Sequence, residues 1–262
     1  MESNLHGKKL LVTGASGAIG AATARSFAAE GAEVVLHYNR NRASVHALAA
    51  ELGVRHLLVQ ADLQEEAEVD GMFARIEDDF GPLDGIVVNA GIWEATPVPL
   101  SEMSLAQWHR THATNLTSAF LTCRGFLRQL ARTRQEQASI VLVGSTAALF
   151  GEENHADYSS AKAAMSYGLT RTLKNEIVRF SARGRVNCVC PGWVATPMSA
   201  DALADTAQVN RTTATMALRK VATVEDVAAA IVFLSSDTLA GHLSGTLLPI
   251  AGGMEGRLLH DP

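Results

Sequence analysis

Cysteine is scarce in this 262-residue chain: there are three, Cys123, Cys188 and Cys190, with no C-x-x-C pair. An odd, small number without metal-ligand spacing argues against a disulfide framework and a thiolate metal centre, and it suits a reducing cytoplasm. Cys188 and Cys190 fall on one predicted strand, 185–190, and read as core residues. No apolar stretch approaches the ~18 to 20 residues a membrane span requires. The first nine residues are polar and lead straight into a strand, so no secretory leader is expected. Excess charge of one sign is slight, at −5, and the basic residues are scattered apart from a short run over 124–134. That run reads as a solvated helix face, and the balance argues against a nucleic-acid or anionic-membrane partner, since both reward clustered Lys and Arg. There is no Pro/Gly/Ser-rich linker, repeat or low-complexity tract, so one domain over 1–262 is expected.

What is present is alternation. Short β-branched runs at 9–13, 33–37, 56–60, 85–89, 139–144, 185–190 and 246–250 read as strands. Between them, segments at 18–30, 44–52, 67–80, 105–132, 157–181 and 224–235 carry 3.6-residue apolar periodicity and read as helices. Continuously apolar strands such as Gly85-Ile-Val-Val fit a parallel sheet buried on both faces. The expected fold is α/β: a Rossmann-like, doubly wound, seven-stranded parallel sheet flanked by helices on both faces. Ligands then bind at the carboxyl ends of the strands, so the strand-to-helix connections should carry the chemistry.

The first connection reads Thr13-Gly14-Ala15-Ser16-Gly17-Ala18-Ile19-Gly20, followed by an Ala-rich helix. Glycine lets the chain turn tightly and lets a pyrophosphate approach the backbone at a helix N-terminus; a purely structural Gly-rich turn is the alternative. The second strand ends His37-Tyr38-Asn39-Arg40. No acid stands at Tyr38 or Asn39 to grip a ribose 2′-hydroxyl, whereas Arg40 and Arg42 can pair with a 2′-phosphate or remain solvated loop charges. NADP(H) is therefore favoured, with NAD(H) possible. The third strand ends Ala61-Asp62-Leu63, where Asp62 either meets the adenine amino group or caps the next helix. The fourth ends Asn89-Ala90-Gly91, small residues that allow close approach or simply make a turn.

Tyr158-Ser-Ser-Ala-Lys162 opens a long predicted helix, with Asn154 as a candidate N-cap. A spacing of four puts Tyr158 and Lys162 on one face. An ammonium beside a phenol favours the phenolate and brings it nearer the working range of a general acid–base. Ser145, at the end of the fifth strand, places a hydroxyl at the same end of the sheet. Taken together, these features resemble the short-chain dehydrogenase/reductase family in its single-domain form, over nearly the whole chain. The resemblance rests on Thr13-Gly14…Gly20, Asp62, Asn89-Ala90-Gly91, Asn115, Ser145, Tyr158, Lys162, Pro191-Gly192 and Thr196. It implies hydride exchange between a nicotinamide and a carbonyl or secondary alcohol. Tyr158 is the implied proton donor or acceptor, Ser145 holds the substrate oxygen, Lys162 holds the nicotinamide ribose, and Asn115 holds a water behind Lys162. Pro191, Gly192, Val194 and Thr196 then line the nicotinamide, with Thr196 also a possible cap. A homotetramer is implied, using the helices at 105–132 and 157–181 at one interface and 246–262 at another.

The chain departs from the family pattern in three places. Ala18 replaces the middle glycine of T-G-x-x-x-G-x-G, and Ala251 stands where Asp usually precedes Gly252-Gly253. The segment from Gly151 to Asp157 is unusually polar, with Glu152 and His155 either facing substrate or solvated. His109 and His112 lack an evident third ligand, and no metal is expected. A substrate lid is expected over 196–218, with Met198 and Met216 as soft apolar contacts and no aromatic cluster within it. Two alternatives stand beside the reductase: an NAD-dependent alcohol, diol or sugar dehydrogenase, and a cofactor-binding sensor or scaffold without turnover.

Overall fold

A computed structural model describes residues 2–256, apart from the side chains of Met198, Asp201, Ala202 and Gln208. The end of the proposed 246–262 interface, residues 257–262, and the Met198 side chain therefore lie outside what is described. Seven strands form one sheet: β1 (Lys9–Val12), β2 (Glu33–Tyr38), β3 (His56–Gln60), β4 (Gly85–Val88), β5 (Gln137–Val143), β6 (Arg183–Pro191) and β7 (Leu247–Ile250). Their order is β3-β2-β1-β4-β5-β6-β7, and every pairing is parallel. The order reverses between β1 and β4, so their carboxyl ends diverge into a crevice.

The period-2 alternation of a strand sends successive apolar residues to opposite faces. Leu11, Val35, Ile86, Val88, Ile140 and Leu142 join one buried cluster, together with all three cysteines. Leu10, Val12, Val34, Leu36, Val87, Val141 and Val143 join the other. Helices α1 (Ala18–Ala29) and α2 (Arg42–Glu51) cover the second cluster, while α3 (Glu66–Asp79) covers the first. The first cluster is also covered by a long composite helix: α4 (Leu105–His112), one wider π-helical turn at Ala113–Thr117, then α5 (Ser118–Thr133). The basic run of α5 meets acids of α3, pairing Arg124 with Glu66, Arg128 with Asp70 and Arg132 with Glu77. This is a solvated helix–helix seam, worth little per pair.

After β5 comes a helix the periodicity did not reveal, α6 (Thr146–Phe150), whose N-cap is Ser145. Then α7 (Ala156–Ala163) passes through a π-helical turn at Ala164–Leu169 into α8 (Thr170–Glu176). The expected cap at Asn154 is not made. His155 is the N-cap, and Asn154 sits at φ 64° in the left-handed region, where an asparagine is tolerated. The 196–218 segment contains α9 (Ala200–Ala204) and α10 (Thr206–Ala214), and α11 (Val224–Ser235) and α12 (Asp237–Ala240) precede β7.

Candidate active site

The carboxyl ends of β1, β2, β4, β5 and β6 open into one cleft of about 1070 Å³. At its floor the chain turns from β1 into α1. Gly14 takes φ +66°, and an added Cβ there would approach Ala90 Cα at 3.0 Å. Ala18, the departure from the usual glycine, is the first residue of α1, with Gly17 as a cap that has no side chain to block the helix N-terminus. Gly17, Ala18 and Ile19 line the cleft, so the helix end faces open space. Thr13 and Gly20 do not line it. Thr13 is fully buried, and its Oγ1 accepts the N–H groups of Asn89 (2.9 Å) and Ala90 (3.1 Å). A side chain on Gly20 would strike the Gly14 carbonyl and lie 2.9 Å from Asn89 Nδ2. These two residues lock the β1 and β4 ends together, and Gly14, Ala90 and Gly91 form the exposed surface.

The lock has a third member that the sequence did not flag. His37 is 2 % exposed, its Nδ1 accepts the Gly14 N–H at 3.1 Å, and its Nε2 donates to the Ala61 carbonyl at 3.0 Å. Those partners define a neutral ring, and burial pushes its pKa down to about 4 against weaker opposition from the Ala61 bond and Asp62. The only hint in the sequence is a histidine ending an otherwise apolar strand.

At the β2 end, half-buried Asn39 and exposed Arg40 border the cleft, but Arg42 does not. Arg42 opens α2 and donates from Nε to His46 at 3.1 Å, a helical i,i+4 pair that turns it away. Asp62 borders the cleft with Leu63. It does not cap α3, which starts at Glu66; its Oδ1 accepts from Gln64 N at 3.0 Å, closing a local turn. Pro191, Gly192, Val194 and Thr196 form the opposite wall, and Thr196 is also the N-cap of a 3₁₀ turn at Pro197–Ser199.

Ser145, Tyr158, Lys162 and Asn115 all meet in this cleft. Lys162 is 4 % exposed; its Nζ donates to the Val143 carbonyl at 2.8 Å and stands 5.7 Å from the Tyr158 ring centroid. The expected lowering of the Tyr158 pKa is not what the surroundings produce. Packed protein around the half-buried ring pushes the phenol up to about 12, although a hydrogen bond from Ser145 acts the other way and Glu152 adds to the rise. Burial holds the Lys162 ammonium down to about 8. The phenol therefore stands neutral at working pH, a proton donor by default. Asn115 lies in the π-helical turn; its side chain donates to the Ile92 and Thr111 carbonyls (3.0 Å each) and accepts from Ile92 N (3.2 Å). It thereby clamps the Gly91–Ile92 loop beside Lys162. Buried Asp157, directly before Tyr158, accepts from Thr111 Oγ1 at 2.7 Å, Tyr158 N at 2.9 Å and Gln107 Nε2 at 3.2 Å, joining α7 to α4. Burial opposes ionisation, yet these bonds hold its carboxyl below the usual range.

Two tryptophans line the cleft and were not foreseen. Trp93 follows the Asn89-Ala90-Gly91 turn and Trp193 follows Pro191-Gly192, so each stands just beyond a motif that borders the cleft. Glu152 borders the same space, whereas His155 is 7 % exposed, stacked on Trp93 and bonded to backbone. Met216, expected as a soft substrate contact, does not line the cleft: it is buried against Ala251, Met254 and Trp193, so it anchors the 196–218 segment to the loop after β7. There Gly252 and Gly253 take φ +61° and +78°, and the Gly252 carbonyl accepts from Leu218 N at 2.9 Å. Ala251 thus serves in packing where an Asp-mediated contact was in question. Among the described residues no group of three or more His, Cys, Asp or Glu is placed to hold a metal, and His112 is stacked on Trp108. Among the same residues no helix is long and apolar enough to cross a membrane.

A family model described as Enoyl-(Acyl carrier protein) reductase matches residues 14–255. The chain is 36 % identical over 259 residues to 3beta-hydroxysteroid dehydrogenase 1 of Eggerthella lenta, covering 97 % of this chain and 96 % of the relative. It is 38 % identical over 249 residues to cis-4-hydroxycyclohexanecarboxylate dehydrogenase of Sinomonas cyclohexanicum, covering 93 % and 94 %. A Brucella melitensis crystal structure described as short-chain dehydrogenase/reductase SDR:Glucose/ribitol dehydrogenase superposes with TM-score 0.87 at 34 % identity, covering 97 % of this chain and 99 % of the other. The chain belongs to the short-chain dehydrogenase/reductase family. It is an oxidoreductase that uses a nicotinamide cofactor on small-molecule alcohols or carbonyls.

Proposed function

We propose that the protein reduces a ketone with NADPH, with Tyr158 as the proton donor. The observation that carries this reading is the meeting of Ser145, Tyr158 and Lys162 in the same cleft as the glycine turn. The cleft suits a dinucleotide: an unblocked helix N-terminus at Gly17–Ile19 for the pyrophosphate, the bare Gly14 and Gly91 surface, and Asp62 with a carboxylate for the adenine edge. Exposed Arg40, with Asn39, Asn41 and Ser44 around it and no acid at the β2 end, supports a 2′-phosphate.

When bound, a reduced nicotinamide would supply the hydride to the carbonyl carbon, itself becoming oxidised. Ser145 holds the carbonyl oxygen and stabilises the charge that builds there. The oxygen takes the Tyr158 proton, and a neutral phenol is ready to give it. Lys162, fixed by the Val143 carbonyl, would hold the ribose hydroxyls, and Asn115, which keeps the Gly91–Ile92 loop in place, would hold a water behind it. The reverse direction, alcohol oxidation with NAD, is the second reading; the dehydrogenase names of the relatives favour it. We also place the protein in the cytoplasm, on its free buried thiols, and in a homotetramer built on α4/α5 and α7/α8, where Phe120 and Tyr167 are 45 % and 41 % exposed.

The test is a fluorescence titration with NADPH and NADH, on wild type and Tyr158→Phe. Tighter NADPH binding, with turnover lost but binding kept in the variant, supports the proposal. Tighter NADH binding transfers support to the oxidative reading, and full turnover by the variant removes Tyr158 from the mechanism.

A further inference from the structure

We infer that the substrate end of the cleft is a rigid aromatic corner that selects a secondary alcohol or ketone carried on a ring. This rests on the assignment of Ser145 and Tyr158 to the reacting oxygen. Sheet order makes the corner. Trp93 leaves the end of β4 and Trp193 the end of β6, and β5, which delivers Ser145, lies between them. Both indoles border the cleft that Ser145 and Tyr158 border. Their ring centroids are 6.4 Å apart and their planes meet at 72°.

Each indole is backed by packed neighbours. The Trp93 ring is stacked at 5.0 Å and 19° on His155. His155 is pinned in turn: its Nδ1 and Nε2 face the backbone carbonyls of Glu153 and Glu94, each at 3.0 Å. Trp193 leans on Met216, Ala251 and Met254. A preformed corner of two apolar planes loses little freedom on binding. A ring offers it two broad faces whose shape ring closure has already fixed. An acyclic chain must give up several rotors to cover the same surface. Glu152 and Arg110, the latter paired with Glu94 at 2.8 Å, also border the cleft. Ring substituents pointing toward them meet polar groups, so a cyclohexane-type ring and a pyranose share the required chemistry.

The experiment measures kcat/KM for cyclohexanone and for 2-hexanone, which has the same number of carbons, with the cofactor the enzyme prefers. Wild type and Trp193→Ala are compared, with cofactor Kd as the check that the fold survives. The expected result is at least tenfold preference for cyclohexanone, falling about tenfold in the variant at unchanged cofactor affinity. Oxidation of cyclohexanol against glucose then tells the carbocycle from the pyranose. Equal rates for ring and chain ketones, or a wild-type preference that survives Trp193→Ala, overturns the corner while leaving the assignment of Tyr158 intact. Absence of turnover on every ketone and alcohol with either cofactor overturns both.

Discussion

Replacing His37 with glutamine removes a titrating ring from the seam that joins the ends of β1, β2 and β3. The ring is neutral in the folded and unfolded chains above pH 6.5, so it adds no pH dependence there. As pH falls from 6.5, the unfolded chain takes up a proton at this position while the folded chain resists until about 4. The unfolded state then binds more protons, so stability falls with falling pH across that window and levels off below it. At about 1.4 kcal/mol per pH unit, the interval from 6.5 to about 4 corresponds to roughly 3 kcal/mol. The glutamine variant loses the Nδ1 acceptor for the Gly14 N–H, which costs about 1 to 3 kcal/mol at every pH, but it cannot titrate. Urea unfolding of both proteins from neutral pH down to pH 4 gives two curves, and their difference isolates His37 from the other histidines. The wild-type advantage should fall by about 3 kcal/mol toward the acid end, to zero or below. A constant difference, or a ¹⁵N spectrum showing imidazolium in the folded protein near pH 6, would falsify the neutral buried ring.

Four further outcomes are expected. Arg40→Ala should weaken NADPH binding tenfold or more, a charge-assisted contact of about 1.5 to 3 kcal/mol, with little change for NADH; equal losses in paired titrations remove the 2′-phosphate reading. Arg42→Ala should leave both affinities nearly unchanged, because that side chain is bonded to His46. Gly20→Ala should cost about 1 to 3 kcal/mol in unfolding free energy, since the added methyl meets the Gly14 carbonyl; wild-type stability would show that the turn yields freely. Asp157→Ala should cost about 2 to 3 kcal/mol and lower kcat more than cofactor affinity, as the α4–α7 joint beside Tyr158 is lost; a change in cofactor Kd alone would mean that the joint does not hold Tyr158.

The sheet and its order of elements were legible because both faces are buried. Runs such as Gly85-Ile-Val-Val cannot alternate with polar residues, and the long helices repeat over many turns. Short pieces were not legible. Five-residue helices such as α6 and α9 lack the length to show a period, and they exist by packing and capping. The Tyr158–Lys162 spacing was readable because i and i+4 neighbours meet within one helix. The electrostatic consequence was not, because the Tyr158 pKa depends on what surrounds the ring, and burial outweighs the hydrogen bond from Ser145.

The same boundary runs through the cleft. Local chemistry, with partners a few residues apart, suffices for the glycine turn, the acid-free β2 end and the Tyr–Lys pair. Contacts across long chain separations need the strand order: His37 between Gly14 and Ala61, and Trp93 brought to Trp193 across β5. Residues tens of positions apart become neighbours when β4, β5 and β6 pair side by side in register. That pairing is a property of the assembled core, with no trace in the spacing of the residues it brings together.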